Sequence, residues 1–223
     1  MTVPEVLTQL QSMSNDTMIA HNKKNGATNN QFGAKLGDIR TLAKKIKTNH
    51  QLALQLWETK NIDARLLAIL ILKPKELSAK ELTELANSID FVQVSDWFNA
   101  YILKEYPDTE QFREKWMDSP NKWVARAGWS LTTGKVTRDA GDLDLAKLLD
   151  RIETQIPDAP PEVQWNMNMA LGQIGINHPK HRKRVLAMGE KLGMYRDYPV
   201  SKGCTSPFVP IWVNEMVSRQ KAD

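Results

Sequence analysis

The chain has 223 residues, 41% hydrophobic and 25% charged, which is enough for a buried core without staples and excludes an intrinsically disordered or fibrous protein. Lys and Arg number 30 against 26 Asp and Glu, a formal charge of +4 that permits a polyanionic partner without demanding one. The one cysteine, Cys204, excludes an intrachain disulfide and any cysteine-rich zinc site.

No N-terminal stretch has the charged start and apolar core of a signal peptide, and the longest apolar run, around residues 66–72, is too short to span a bilayer. With the single thiol, this predicts a cytoplasmic protein with no membrane contact. Strand signals are nearly absent and helical periodicity runs throughout. Residues 3–13 place Val6, Leu7, Leu10 and Met13 on one helix face. A second helix follows Ser14 and stops before Gly26, and residues 26–31 form a polar loop. Helices are then predicted over 37–47, 50–59 and 61–72, the last strongly apolar and stopped by Lys73-Pro74. The next begins at a capping box, Ser78 to Glu81, and covers 78–88. Further helices are expected over 92–106, 109–118, and 121–133, closed by Gly134 in a left-handed cap. The last are 143–155, 161–176, 179–192 (closed at Gly193) and about 209–220. Residues 194–210 are too rich in Pro, Gly and Ser for a helix and are expected to be an ordered loop packed on the array.

That is about a dozen helices. Paired helices recurring every ~35–45 residues indicate an all-α solenoid of HEAT or armadillo-like repeats. The expectation is one repeat domain over residues 1–223, with a compact irregular bundle as the alternative.

The basic residues fall in three clusters. Arg40, Lys44 and Lys47, spaced by four and three, share one face of the 37–47 helix. Lys122 and Arg126 repeat that spacing. His178, Lys180, His181, Arg182, Lys183 and Arg184 begin the helix at Pro179. Each could be a solvated face, but three together predict a track for DNA phosphates. No histidine has metal-ligand spacing with carboxylates, and the glycines form no nucleotide loop, so no metal and no cofactor are expected. His178 and His181 are read as DNA contacts or exposed residues. Cys204 lacks a histidine nearby in sequence and is expected to be a buried structural thiol rather than a nucleophile.

Several segments have a family likeness. FGAKLGDIRTLAKKI (32–46), the stretch over 52–72, SDWFNAYILKEY, WVARAGWSL and NMALGQIG (168–175) resemble the AlkD-like DNA alkylation repair family, over about residues 32–192. The resemblance implies HEAT-like repeats curved around duplex DNA. In active members it implies release of cationic N3- and N7-alkylated purines by an aspartate and an arginine beside two tryptophans. Arg126, in WVARAGW, matches the family arginine. The family aspartate falls on Asn99, one tryptophan on Ser95 and the other on Gln173. A slip of one turn would bring Asp96 and Trp97 from the same helix into those roles. Trp123 and Trp129 are six positions apart, so at most one faces a ligand.

The reaction needs a carboxylate to stabilise an oxocarbenium-like sugar and to orient water, and an asparagine brings no charge to that task. The sequence therefore predicts a DNA-binding repeat protein whose excision of alkylated purines is weak or lost. Two alternatives remain: a non-catalytic binder of damaged or branched DNA, and a scaffold for an acidic protein partner.

Overall fold

Asparagine, serine and aspartate side chains set where six of the helices begin. Each accepts a hydrogen bond from an amide in the first turn: Asn15 from Met18, Asn49 from Leu52, Asn61 from Ala64, Ser78 from Glu81, Asn121 from Trp123 and Asp144 from Ala146. Such caps stabilise by about 1 kcal/mol each and fix entry points that periodicity alone leaves loose. The computed structural model describes residues 1–220; the last three positions of the expected 1–223 domain lie outside the described residues. Those residues form thirteen α-helices and no strand. The fold is an all-α, HEAT-like repeat. By packing it divides into two compact units, separated in sequence between Thr109 and Glu110.

The first unit holds α1 (Val3–Ser12), α2 (Asp16–Lys24), α3 (Leu36–Ile46), α4 (His50–Glu58), α5 (Ile62–Ile71), α6 (Ala79–Asn87) and α7 (Val92–Trp97). Helix α5 is its centre, buried at nine of ten positions and packed by α1, α3, α4 and α7. Two of its buried residues are charged and solve their burial differently. The Asp63 carboxylate accepts the amides of Phe32, Gly33 and Ala34 at 2.6, 3.2 and 2.8 Å. The loop can turn into that position because Gly33 has φ +70°, and a β-carbon there would lie 2.7 Å from the Asn15 carbonyl oxygen. The Arg65 guanidinium lies 5.0 Å from the Trp57 ring centre and donates to the Ser88 carbonyl and to Asp90 at 2.9 and 3.1 Å.

The second unit holds α8 (Glu110–Met117), α9 (Lys122–Arg138), α10 (Leu145–Gln155), α11 (Pro161–Asn177), α12 (Pro179–Leu192) and α13 (Val209–Gln220). Helices α9 and α11 run parallel, as shown by Lys122 to Glu162 at one end and His178 to the Val136 carbonyl at the other. Trp129, Leu149, Ile152, Met167, Leu171, Ile174, Val185 and Val213 fill the core. Small residues allow the closest approaches. A β-carbon at Gly128 would lie 2.7 Å from the Trp116 carbonyl carbon and 3.0 Å from the Arg113 carbonyl oxygen. Backbone cannot swing away as a side chain can. Gly128→Ala should therefore destabilise the protein by about 1–3 kcal/mol despite alanine's higher helix propensity. A thermal melt of the variant checks this; unchanged stability would mean α8 can slide freely.

Three expectations are corrected. Gly134 does not end a helix: α9 continues to Arg138. Val136, 1% exposed, belongs to the same buried stripe as Trp129, and its burial outweighs the helix cost of one glycine. Lys47 does not share the face of Arg40 and Lys44, because α3 stops at Ile46 and Lys47 leaves it at φ +63°. The helix expected over 92–106 is α7 followed by a π-helical turn, Phe98–Leu103.

Candidate nucleic-acid interface

In the first unit, Arg40 and Lys44 are exposed one turn apart on α3. The buried Ile39, Leu42 and Ala43 hold the opposite face of that helix inward. The Arg40 guanidinium carbon lies 4.5 Å from the Trp97 ring centre, and Nη2 donates to the Tyr101 hydroxyl at 3.4 Å. Trp97 and Tyr101 lie 5.5 Å apart by ring centre, and Tyr101 is 38% exposed. A flat cation stacked on a buried ring is held in place with its remaining donors facing water, an arrangement suited to a phosphate. Ser95 and Asn99, where the resemblance puts a tryptophan and an aspartate, sit one turn apart beside this cluster in sequence. Ser95 is buried, Asn99 is half-buried, and neither Ser95 Oγ nor Asn99 Oδ1 has a hydrogen-bond partner among the described residues. Asp96 is exposed.

In the second unit, Arg126 is 4% exposed and Nη1 donates to the Glu162 carbonyl at 2.7 Å, while its own carbonyl accepts from Asn166 at 3.0 Å. Lys122 is a turn earlier and pairs with the Glu162 carboxylate at 2.6 Å. Burial opposes the charged form of Glu162, but the Lys122 hydrogen bond, the Glu162 amide and the charges of Lys122 and Arg126 hold its carboxyl below the usual range. Trp123 and Trp129 are both buried, so neither presents a ring. Gln173, the second position expected for a family tryptophan, accepts from Asn177 at 2.8 Å.

The cluster that opens α12 divides by role. Arg182 donates to the Gly175 and Ile176 carbonyls at 2.7 and 3.0 Å, closing the end of α11. Arg184 pairs with Asp150 and Glu153. His178 contacts the Val136 carbonyl at 2.9 Å. Lys180 and Lys183 remain exposed. Cys204 is exposed rather than buried, because its loop is stitched to the array on either side of it, through Tyr195 and Phe208. Among the described residues, no three His, Cys, Asp or Glu side chains are grouped to hold a metal ion.

Sequence reasoning missed three aromatic residues. Trp165 on α11 packs against Tyr195 and Tyr198 of the loop after α12, with ring centres 5.2 and 5.6 Å apart. The tyrosines contact each other at 5.8 Å. Their signal was two tyrosines three apart in a segment with no helical period.

The family model for the DNA alkylation repair enzyme matches residues 6–194. The chain belongs to that family. The match begins ahead of the loop bound by Asp63, includes Ser95, Asn99 and Arg126, and ends at the start of the tyrosine loop. Two bacterial relatives are similar along nearly their whole lengths. The uncharacterized protein Lin0241 of Listeria innocua is 22% identical, over 94% of this chain and 93% of the relative. The uncharacterized protein Lmo0209 of Listeria monocytogenes is 20% identical, over 99% of both. A solved structure at 23% identity superposes with a TM-score of 0.81, covering 99% of this chain and 95% of the other. It represents a new family of proteins related to the HEAT-like repeat DNA glycosylases with affinity for branched DNA structures. At that identity the likeness is one of fold. Among the described residues, no helix is long and apolar enough to cross a membrane.

Proposed function

We propose that this member of the DNA alkylation repair family binds DNA through phosphate contacts, largely independently of sequence, and excises N3- or N7-alkylated purines weakly or not at all. The observation that carries this is the pairing of an exposed cationic stripe, Arg40 and Lys44, with a neutral amide at Asn99. The stripe can hold a phosphate backbone. The amide can orient water but cannot offset positive charge developing on a sugar. Exposed Lys180 and Lys183, together with Lys122, extend the candidate phosphate contacts in the second unit, and Lys47 extends those in the first. Arg126, 4% exposed and bonded to the Glu162 carbonyl, corrects the expectation of a direct phosphate contact and contributes its charge from beneath the surface. Arg182, committed to carbonyls, contributes less than its neighbours. The solved structure's described affinity for branched DNA favours junctions over linear duplex as the preferred ligand. Exposed Cys204 fits a reducing cytoplasm, where it stays a thiol.

Fluorescence anisotropy with labelled three-way junctions and linear duplexes, titrated across salt, tests this. Both DNAs should bind at low salt, the junction more tightly, with log affinity falling linearly in log salt. Reversing Arg40 and Lys44 together to glutamate should weaken binding about tenfold or more and flatten the salt slope by about two. No binding at low salt would overturn the proposal. Binding of an acidic protein in place of DNA would favour the scaffold reading.

A further inference from the structure

The loop after α12 is built in a way that anchoring alone does not explain. Gly193 leaves α12 at φ +62°, and two residues later Tyr195 also takes a left-handed backbone at φ +60°. For a bulky residue that conformation is strained and persists only where its surroundings over-determine it. It turns the chain so that two tyrosines three apart both reach Trp165. Tyr195 does the anchoring: it is half-buried, edge-on to Trp165 at 77°, and burial pushes its hydroxyl pKa up while the Arg126 charge opposes that. Tyr198 adds little burial of its own. It is 45% exposed and meets the other two rings at 50° and 80°, contacts that hold a ring by its edges more than they cover it. Val200, two residues on, is also 45% exposed.

The charges beside the rings favour an anion. Trp165 is one turn from Glu162 on α11, and Glu162 is paired with Lys122 under the field of Arg126. That is two cations to one carboxylate one turn from Trp165. On the loop itself Arg196 is neutralised by Glu190 at 2.9 Å, and Asp197 and Lys202 flank Tyr198, so the surroundings keep a small positive excess. An exposed ring, fixed by two others and flanked by net positive charge, is what an unstacked base with its phosphates requires.

We propose that Tyr198, held by Trp165 and Tyr195, is a stacking platform for an unpaired nucleobase at a DNA branch point. This rests on the DNA-binding reading above and adds to it a place where branched and linear DNA are told apart. Linear duplex offers no unstacked base, so Tyr198 contributes to junction binding and not to duplex binding.

The test uses the full chain and a three-way junction with 2-aminopurine at an unpaired position. The wild-type protein should change the probe's fluorescence as the junction saturates. Tyr198→Phe keeps the π-face and should behave like the wild type. Tyr198→Ala should lose the fluorescence change and about tenfold in junction affinity, with linear-duplex affinity unchanged at the same salt. Junction binding by the wild type with no fluorescence change would overturn the platform while leaving phosphate binding intact. Equal loss by Tyr198→Ala on both DNAs would also overturn it. Absence of any DNA binding would overturn both this inference and the reading it rests on. Circular dichroism melts of each variant establish that the loop change leaves the helices folded.

Discussion

Asp63→Ala should cost the protein on the order of 4 kcal/mol, because it leaves the half-buried amide of Phe32 and the buried amides of Gly33 and Ala34 without an acceptor. For a domain of this size that is about 10 °C in melting temperature. Asp63→Asn keeps one acceptor oxygen and turns an NH2 toward a backbone donor, so its loss should be smaller but clear. The damage also reaches function. Those amides lie in the loop that enters α3, and α3 carries Arg40 and Lys44. Under conditions where the variant remains folded, its DNA affinity should fall although no surface charge near the DNA has changed. A melting curve superimposable on that of the wild type would show that water can replace the carboxylate.

Excision of N7-methylguanine or N3-methyladenine by the wild-type chain should be slow or undetectable in a single-turnover assay of base release. Asn99→Asp should raise the rate by about 10²–10³, the usual worth of one well-aimed electrostatic group. The pH dependence adds an independent readout. Asn99 Oδ1 is buried and accepts no hydrogen bond among the described residues, so a carboxylate introduced there would be desolvated without donors. Its pKa should be raised, and activity should appear only as pH climbs through that raised value. Fast release by the wild type would shift the assignment to Asp96, and Asp96→Asn should then abolish the rate. If both chains are inert while DNA still binds, the missing rings at Ser95 and Gln173 are the next cause. A cationic base held between aromatic faces gains a cation–π contact that neither residue provides.

The helices were legible because burial repeats at helical spacing, and α5 is the clearest case: its apolar run is the centre of the first unit. The capping box at Ser78 was legible for the same local reason. What escaped depends on partners distant in sequence. Gly134 looks like a stop until Val136 is seen to be in the core. Arg182 looks like one more solvated cation of its cluster until it is seen donating to the last carbonyls of α11. Asp63 looks like an ordinary first-turn acid, and its three donors come from a loop about thirty residues earlier. The family likeness drew attention to Ser95, Asn99 and Arg126 but gave no role to Trp165, Tyr195 and Tyr198, and the two tyrosines lie just beyond the matched segment, which ends at residue 194.

The π-helical turn at Phe98–Leu103 has an evolutionary consequence. Such a turn holds one residue more than the α-turn it replaces, which is how a helix absorbs a single inserted codon without breaking. Side chains beyond it are rotated by roughly 100° from where an uninterrupted helix would carry them. Asn99 lies inside the turn and Trp97 just ahead of it. Gain or loss of one codon at this point would change which side chains share the face of Trp97 while leaving the helix intact. A lineage could in this way exchange the residues that share the face of Trp97 for another set in a single genetic step.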